Sequence, residues 1–154
     1  MSFDQSRQTP DARVERTTAE EIGRATIAAV VDDFYGRIQH HPTLAGPFGI
    51  VHDWPAHKAK MTHFWWLSLG GRPYLDYRYE VMPKHAAVGV TAALVDDWLA
   101  LFETVVHAHV EAPALADAWL FRARRMGDSL RLVEAYYRRK RERGDTPSLA
   151  HRAL

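Results

Sequence analysis

Apolar residues recur every three or four positions along most of this chain, the signature of helices that bury one face. Ile27, Val31, Phe34 and Ile38 share such a stripe. Thr17 or Thr18, followed three positions on by Glu20 or Glu21, forms a capping-box signature for the start of that helix. It is predicted to run to about His40, before Pro42. Pro42 to Asp53 holds two prolines and two glycines, so it is a connector with at most a short helical turn. Asp53 is placed to cap the next helix, with Pro55 in its first turn, where a missing N–H costs little. That helix is predicted to end near Leu69, at Gly70-Gly71.

Residues 70–90 lose the periodicity. Pro73, Pro83 and the tyrosines Tyr74, Tyr77 and Tyr79 predict a loop with one short helix around His85. From Thr91, a second amphipathic pattern (Leu94, Trp98, Leu101, Phe102, Val105, His109) runs to Ala112-Pro113. A last helix is predicted from Pro113 to about Arg143, with Trp119, Ala123, Met126, Leu130, Val133 and Tyr137 on its stripe. There is no internal repeat and no convincing strand pattern, so the fold class is all-α. Residues 1–16 are expected to be a flexible leader, 17–143 one domain and 144–154 a tail.

Composition narrows the chemistry. The chain has 154 residues, enough for one domain that buries about two-thirds of the surface its unfolded form exposes. Its formal net charge of +1 gives no overall preference for nucleic acid. The absence of cysteine excludes disulfides, thiolate catalysis, iron–sulfur clusters, Cys-based zinc sites and thiolate-ligated haem. No apolar run reaches the roughly 18 residues of a membrane span. Met1 to Arg16 is polar and carries acids, unlike a secretory signal, so a cytoplasmic location is expected.

No phosphate-binding, zinc-protease or nucleophile-elbow motif is present, and no Glu-x-x-His pair of the di-iron kind. His57 and His63 are six residues apart and point to different faces of one helix, so they do not form a joint metal site. The histidines therefore have to be judged singly. A histidine in a helical protein is commonly a surface group or a satisfied core group. That bland account suffices for His40, His41, His52, His107, His109 and His151. His85 differs in position: it lies in an irregular segment between two amphipathic helices, where a ligand can enter from the side. His57, Met61, Phe64 and Trp65 fall at offsets of four, seven and eight residues and form a face that is apolar except for one imidazole. A second histidine opposite that face could hold a metal or a flat cofactor. Tyr35 and Trp98 each admit two roles, a core ring with its polar atom satisfied at an edge or a donor aimed at a ligand. Met61 is most simply packing. The run Tyr136 to Arg143 is the one strongly basic patch, a solvated helix end or a surface for nucleic acid or anionic lipid.

Taken together, these residues resemble the third (P) group of bacterial truncated haemoglobins, over roughly residues 20–137. The resemblance is carried by Val31-Asp32-Asp33-Phe34-Tyr35-Gly36-Arg37-Ile38, Leu44-Ala45-Gly46-Pro47-Phe48, Trp54-Pro55-Ala56-His57 leading to Phe64-Trp65, His85, and Trp98-Leu99-Ala100-Leu101-Phe102. It implies a two-over-two helical sandwich around haem b. By position, His85 matches the proximal iron ligand and Phe48 the phenylalanine packed on the porphyrin. Tyr35, His57, Met61 and Trp98 match the residues lining the distal, gas-binding side. Phe34 and Phe64 are implied as further cofactor contacts, with Lys58 and Arg72 as candidate partners of the propionates.

The implied ligands are dioxygen, nitric oxide and carbon monoxide. A polar distal side further suggests redox chemistry, such as nitric oxide dioxygenation or peroxidase-like turnover with a reductase partner, in a monomer or weak dimer. The alternative is a non-catalytic helical interaction domain that uses its basic C-terminal helix.

Overall fold

Thr17 ends an extended approach (φ −67°, ψ 160°), and its hydroxyl accepts the Glu20 backbone N–H at 3.2 Å, as a capping residue must. In this computed structural model, which describes residues 15–79 and 89–144, the helix it opens is short: α1 spans Thr18–Ile22. The stripe expected to continue unbroken is interrupted at Gly23, whose φ of +89° few residues with a side chain tolerate. α2 then runs Arg24–Ile38, and the Ala19 N–H donates to the Leu69 carbonyl at 3.0 Å, which sets α1 across the end of the next long helix.

The connector after α2 contains a single 3-10 turn, Pro47–Ile50, as its prolines and glycines predict. It is held at both ends. His41 Nδ1 accepts the backbone N–H groups of Thr43 and Leu44 at 3.2 and 3.3 Å. The Thr43 hydroxyl donates to Asp97 at 2.7 Å. Asp53 caps α3 (Trp54–Ser68) by accepting the Ala56 N–H at 3.1 Å. Thr91 likewise caps α4 (Ala92–His109), accepting from Leu94 at 3.2 Å. α5 is the longest element, Pro113–Glu142, and opens on a proline.

The helices pair as α2 with α3 and α4 with α5, and the two pairs meet chiefly where α2 packs on α4. The arrangement is the expected all-α one, with no strand among the described residues. Its centre is unusually aromatic: Phe34, Phe102 and Trp119 are at most 1 % exposed, and Trp65 joins them at 3 %. Around them lie Ile27, Val30, Val31, Ile38, Val105 and Val106, all likewise buried. Burying one such side chain contributes about 1.5–3 kcal/mol, so these positions dominate the stability. Where α4 crosses α5, Gly127 lets the helices close in, because a Cβ there would sit 3.0 Å from Leu99 Cδ1 and 3.1 Å from Val95 Cγ1.

Residues 71–79 contain no helix, in keeping with the predicted loop. The short helix expected around His85, most of the leader and most of the tail lie outside the described residues.

Candidate functional site

Tyr35 is the residue around which the candidate site is built. It lies on the inner face of α2 and is 5 % exposed. Four aromatic rings surround it: Phe34 at a centroid distance of 5.1 Å, His57 at 4.9 Å, and Phe48 and Trp54 at 5.8 Å each. These neighbours come from three separate pieces of chain. The connector supplies Phe48, and α3 supplies Trp54 and His57 one turn apart. All but the Trp54 contact are edge to face, the arrangement aromatic rings favour.

Burial pushes the Tyr35 phenol well above its ordinary value of 10.0. Taking a phenolate out of water is expensive, so this hydroxyl stays protonated and can act as a donor throughout the physiological range. The chemistry of the cage is therefore a neutral O–H beside an imidazole, within an apolar wall.

Phe34 extends this cage inward. Its ring meets Trp98 at 5.5 Å and Phe102 at 5.2 Å, so α4 joins α2 and α3. Tyr35, His57, Phe34 and Phe48 thus form one contiguous set, which reaches Trp98 through Phe34. Met61 and Phe64 lie partly buried against the same core, further along α3. Phe64 faces Trp65 and Tyr79, each at 5.3 Å.

The two basic candidates sit differently. Lys58 Nζ pairs with Asp32 at 2.8 Å, tying α3 to α2. Arg72 is exposed, and its carbonyl accepts the Trp66 indole N–H at 2.8 Å. His85 lies outside the described residues.

His63 is a functional group that the sequence pattern did not single out. It is completely buried and fully engaged. Its Nε2 accepts the backbone N–H groups of Tyr74 and Leu75 at 3.2 and 3.3 Å. An Nε2 facing two N–H donors must be unprotonated, which places the ring proton on Nδ1. Nδ1 then donates to the Tyr79 hydroxyl at 2.7 Å, and that hydroxyl donates to the Lys60 carbonyl at 2.8 Å. Burial, and then the charge of Arg24, lowers the affinity of His63 for a second proton. This neutral imidazole fastens the non-helical segment to α3. The only sequence signal for it was the tyrosine cluster eleven to sixteen residues downstream.

A second polar tie lies at the surface. Asp33 accepts from Arg37 Nε at 2.9 Å and from His109 Nε2 at 2.8 Å, linking α2 to the C-terminal end of α4. The Arg37 hydrogen bond is the main reason that the Asp33 carboxyl is held below its ordinary 3.8. Partial burial opposes the effect, and His109 reinforces it.

A depression of about 430 Å³ between α4 and α5 is lined by none of the residues of the tyrosine cage. Its charges answer one another, with Arg124 3.7 Å from Glu103 and Arg131 3.0 Å from Asp128, so it offers no unmatched polar group of either sign to a ligand.

The family model described as bacterial-like globin matches residues 17–131, from the cap of α1 to a point well inside α5. Comparison with curated proteins finds no match.

Proposed function

The chain belongs to the bacterial-like globin family, whose members bind gases through haem, and we propose on that basis that Tyr35 and its aromatic cage form the gas-binding side of a haem b pocket. The observation that carries the proposal is the buried, protonated Tyr35 phenol edge-on to His57 within an otherwise apolar wall. The residues fit the group: the partly buried Phe48 and Phe64 offer flat apolar surface, Tyr35 and Trp98 carry neutral donors, His57 adds an imidazole, and Phe34, enclosed in the core, backs Tyr35 rather than facing the cofactor. His85 would supply the protein's bond to iron, with its other ring nitrogen held by a hydrogen bond. Lys58 and Arg72 are the candidate partners of the propionates.

Haem would supply the iron that binds the gas and gives electron density to it. The protein's part is selective stabilisation. Dioxygen becomes more negative on binding than carbon monoxide does, so the Tyr35 O–H and Trp98 N–H favour it. Exclusion of water by the aromatic wall strengthens each such bond. Donors of this kind slow the release of dioxygen, which suits oxidation of nitric oxide or peroxide turnover, with electrons from a reductase, better than bulk transport.

The test is titration of the purified protein with haemin, followed through the visible spectrum before and after dithionite. One equivalent taken up with a sharp Soret band and a histidine-type ferrous spectrum is expected. Replacement His85→Ala should abolish tight retention or change that spectrum. Absence of stoichiometric uptake would overturn the haem proposal, and an unchanged spectrum in the variant would overturn the ligand assignment.

A further inference from the structure

The aromatic rings of this protein form a continuous path from the tyrosine cage to the surface. Phe34 joins Tyr35 to Trp98 (5.1 and 5.5 Å). Trp98 lies nearly parallel to Trp65, with centroids 6.3 Å apart and planes 24° apart. Phe102 stacks against both indoles, at 5.0 and 5.1 Å. From Trp65 the path continues through Phe64 (5.3 Å) to Tyr79 (5.3 Å) and on to Tyr77 (4.7 Å). Tyr77 is half-buried and Trp65 is 3 % exposed, so the path begins in the core and ends where solvent reaches.

Indole and phenol rings can each release one electron at potentials biology reaches, whereas phenylalanine rings can only bridge. We propose that this path carries single electrons from the surface to the haem pocket, with Trp65 as the buried relay and Tyr77 as the exit at which phenolic donors are oxidised. The inference rests on the haem pocket proposed above and adds to it an oxidation site about which that proposal is silent.

The reaction balances with hydrogen peroxide as the oxidant. Peroxide accepts two electrons and two protons, its O–O bond breaks, and two waters leave. Two phenol molecules each lose one electron and one proton from their O–H groups and depart as phenoxyl radicals. Tyr77 passes the electron inward and gives up its hydroxyl proton, one of the two that peroxide takes up, then recovers both from the phenol. Loss of an electron together with a proton leaves the ring neutral, so Lys60, whose Nζ lies 4.7 Å over it, does not oppose the step.

Tyr79 cannot be the endpoint. Its hydroxyl donates to the Lys60 carbonyl, which is no base, so its ring serves as a bridge.

The test uses haemin-loaded protein mixed with hydrogen peroxide, frozen rapidly for electron paramagnetic resonance and treated in parallel with a spin trap for mapping by mass spectrometry. The Soret band is recorded throughout. A tyrosyl signal with the adduct on Tyr77 is expected, lost in Tyr77→Phe. Tyr136 serves as the control, since at 50 % exposure it would be labelled first by radicals formed in solution. An adduct on Tyr136 or Tyr74 in place of Tyr77 would overturn the assignment.

Because Trp65→Phe changes the core, a second measurement needs no variant there. In haem-free protein, azide radicals made by pulse radiolysis oxidise tryptophan, and the indolyl absorption should decay as a tyrosyl absorption grows. Tyr77→Phe should diminish that growth, the remainder belonging to the Trp54–Tyr35 and Trp66–Tyr74 contacts, and undiminished growth would overturn the path. If no haem is taken up, the haem proposal falls and this arm alone decides the path, with absence of tyrosyl growth overturning it.

Discussion

The ring of Tyr35 on α2 stands edge-on to the imidazole of His57 on α3, with centroids 4.9 Å apart and planes 85° apart. The contact joins two helices through the two residues best able to address a polar ligand, and it is enclosed by Phe34, Phe48 and Trp54. Such a cage holds a hydroxyl in place without surrounding it with water.

The first prediction concerns that hydroxyl. Tyr35→Phe keeps the ring and its packing and removes only the donor. One hydrogen bond is worth on the order of 1 kcal/mol net. In the haem-loaded protein, dioxygen should therefore dissociate several-fold faster, with carbon monoxide dissociation nearly unchanged. Stopped-flow displacement measures both rates. An unchanged dioxygen rate would mean that Tyr35 does not donate to the bound gas.

The second prediction concerns His63. Its Nε2 accepts two backbone N–H groups, and this is possible only for the neutral ring. In the folded protein its pKa lies below the ordinary 6.5, so the unfolded chain binds the proton more readily. The stabilisation it provides is complete above 6.5 and is lost as pH falls from there through the lowered native value. His63→Gln should flatten stability against pH in that window and should lower stability at neutral pH by about 1–3 kcal/mol, the cost of leaving buried groups unpaired. Urea unfolding at a series of pH values is the measurement. A wild-type slope that persists in the variant would show that another group is responsible.

Much of this fold could be read along the chain because its boundaries are set locally. Asp53 and Thr17, one of the two threonines offered, cap helices through their own side chains, and Thr91, where the next apolar pattern begins, does the same. Tyr35, Phe48 and His57, grouped by the resemblance, do lie together in the fold, while Trp98 reaches them only through Phe34. Gly23 was missed because the apolar stripe continues in register on both sides of it, while the break depends on a positive φ that periodicity does not report. His63 was missed for a different reason. Its partners Tyr74, Leu75 and Tyr79 lie on a segment without periodicity, and only the folded chain brings them to α3. The aromatic path had the same obstacle, being assembled from α2, α3, α4 and the loop segment.

The third prediction tests the closeness of α4 and α5. Gly127→Val would place a branched side chain where even a Cβ lies 3.0 Å from Leu99. Overpacking of this kind costs about 1–3 kcal/mol. Thermal unfolding of the variant should show a lower midpoint, and Gly127→Val combined with Leu99→Ala should recover part of the loss. No recovery would mean that the strain lies elsewhere than in this contact.

The fourth prediction separates two acid-sensitive ties. Asp33 links Arg37 to His109 and its carboxyl titrates below 3.8 in the folded chain, chiefly because Arg37 holds it ionised. The stabilisation is present above 3.8 and is lost as pH falls from there through the native value. The His63 contribution is lost over a window that opens near 6.5. The two losses start almost three pH units apart, so each has its own signature. Asp33→Asn should lower stability at neutral pH by about 1 kcal/mol, as a partly exposed ion pair does. It should leave the slope just below 6.5 intact and flatten the one below 3.8, the reverse of what His63→Gln does. If Asn at this position flattens the upper slope instead, His63 is not the sole origin of that slope and the two ties cannot be read separately from it.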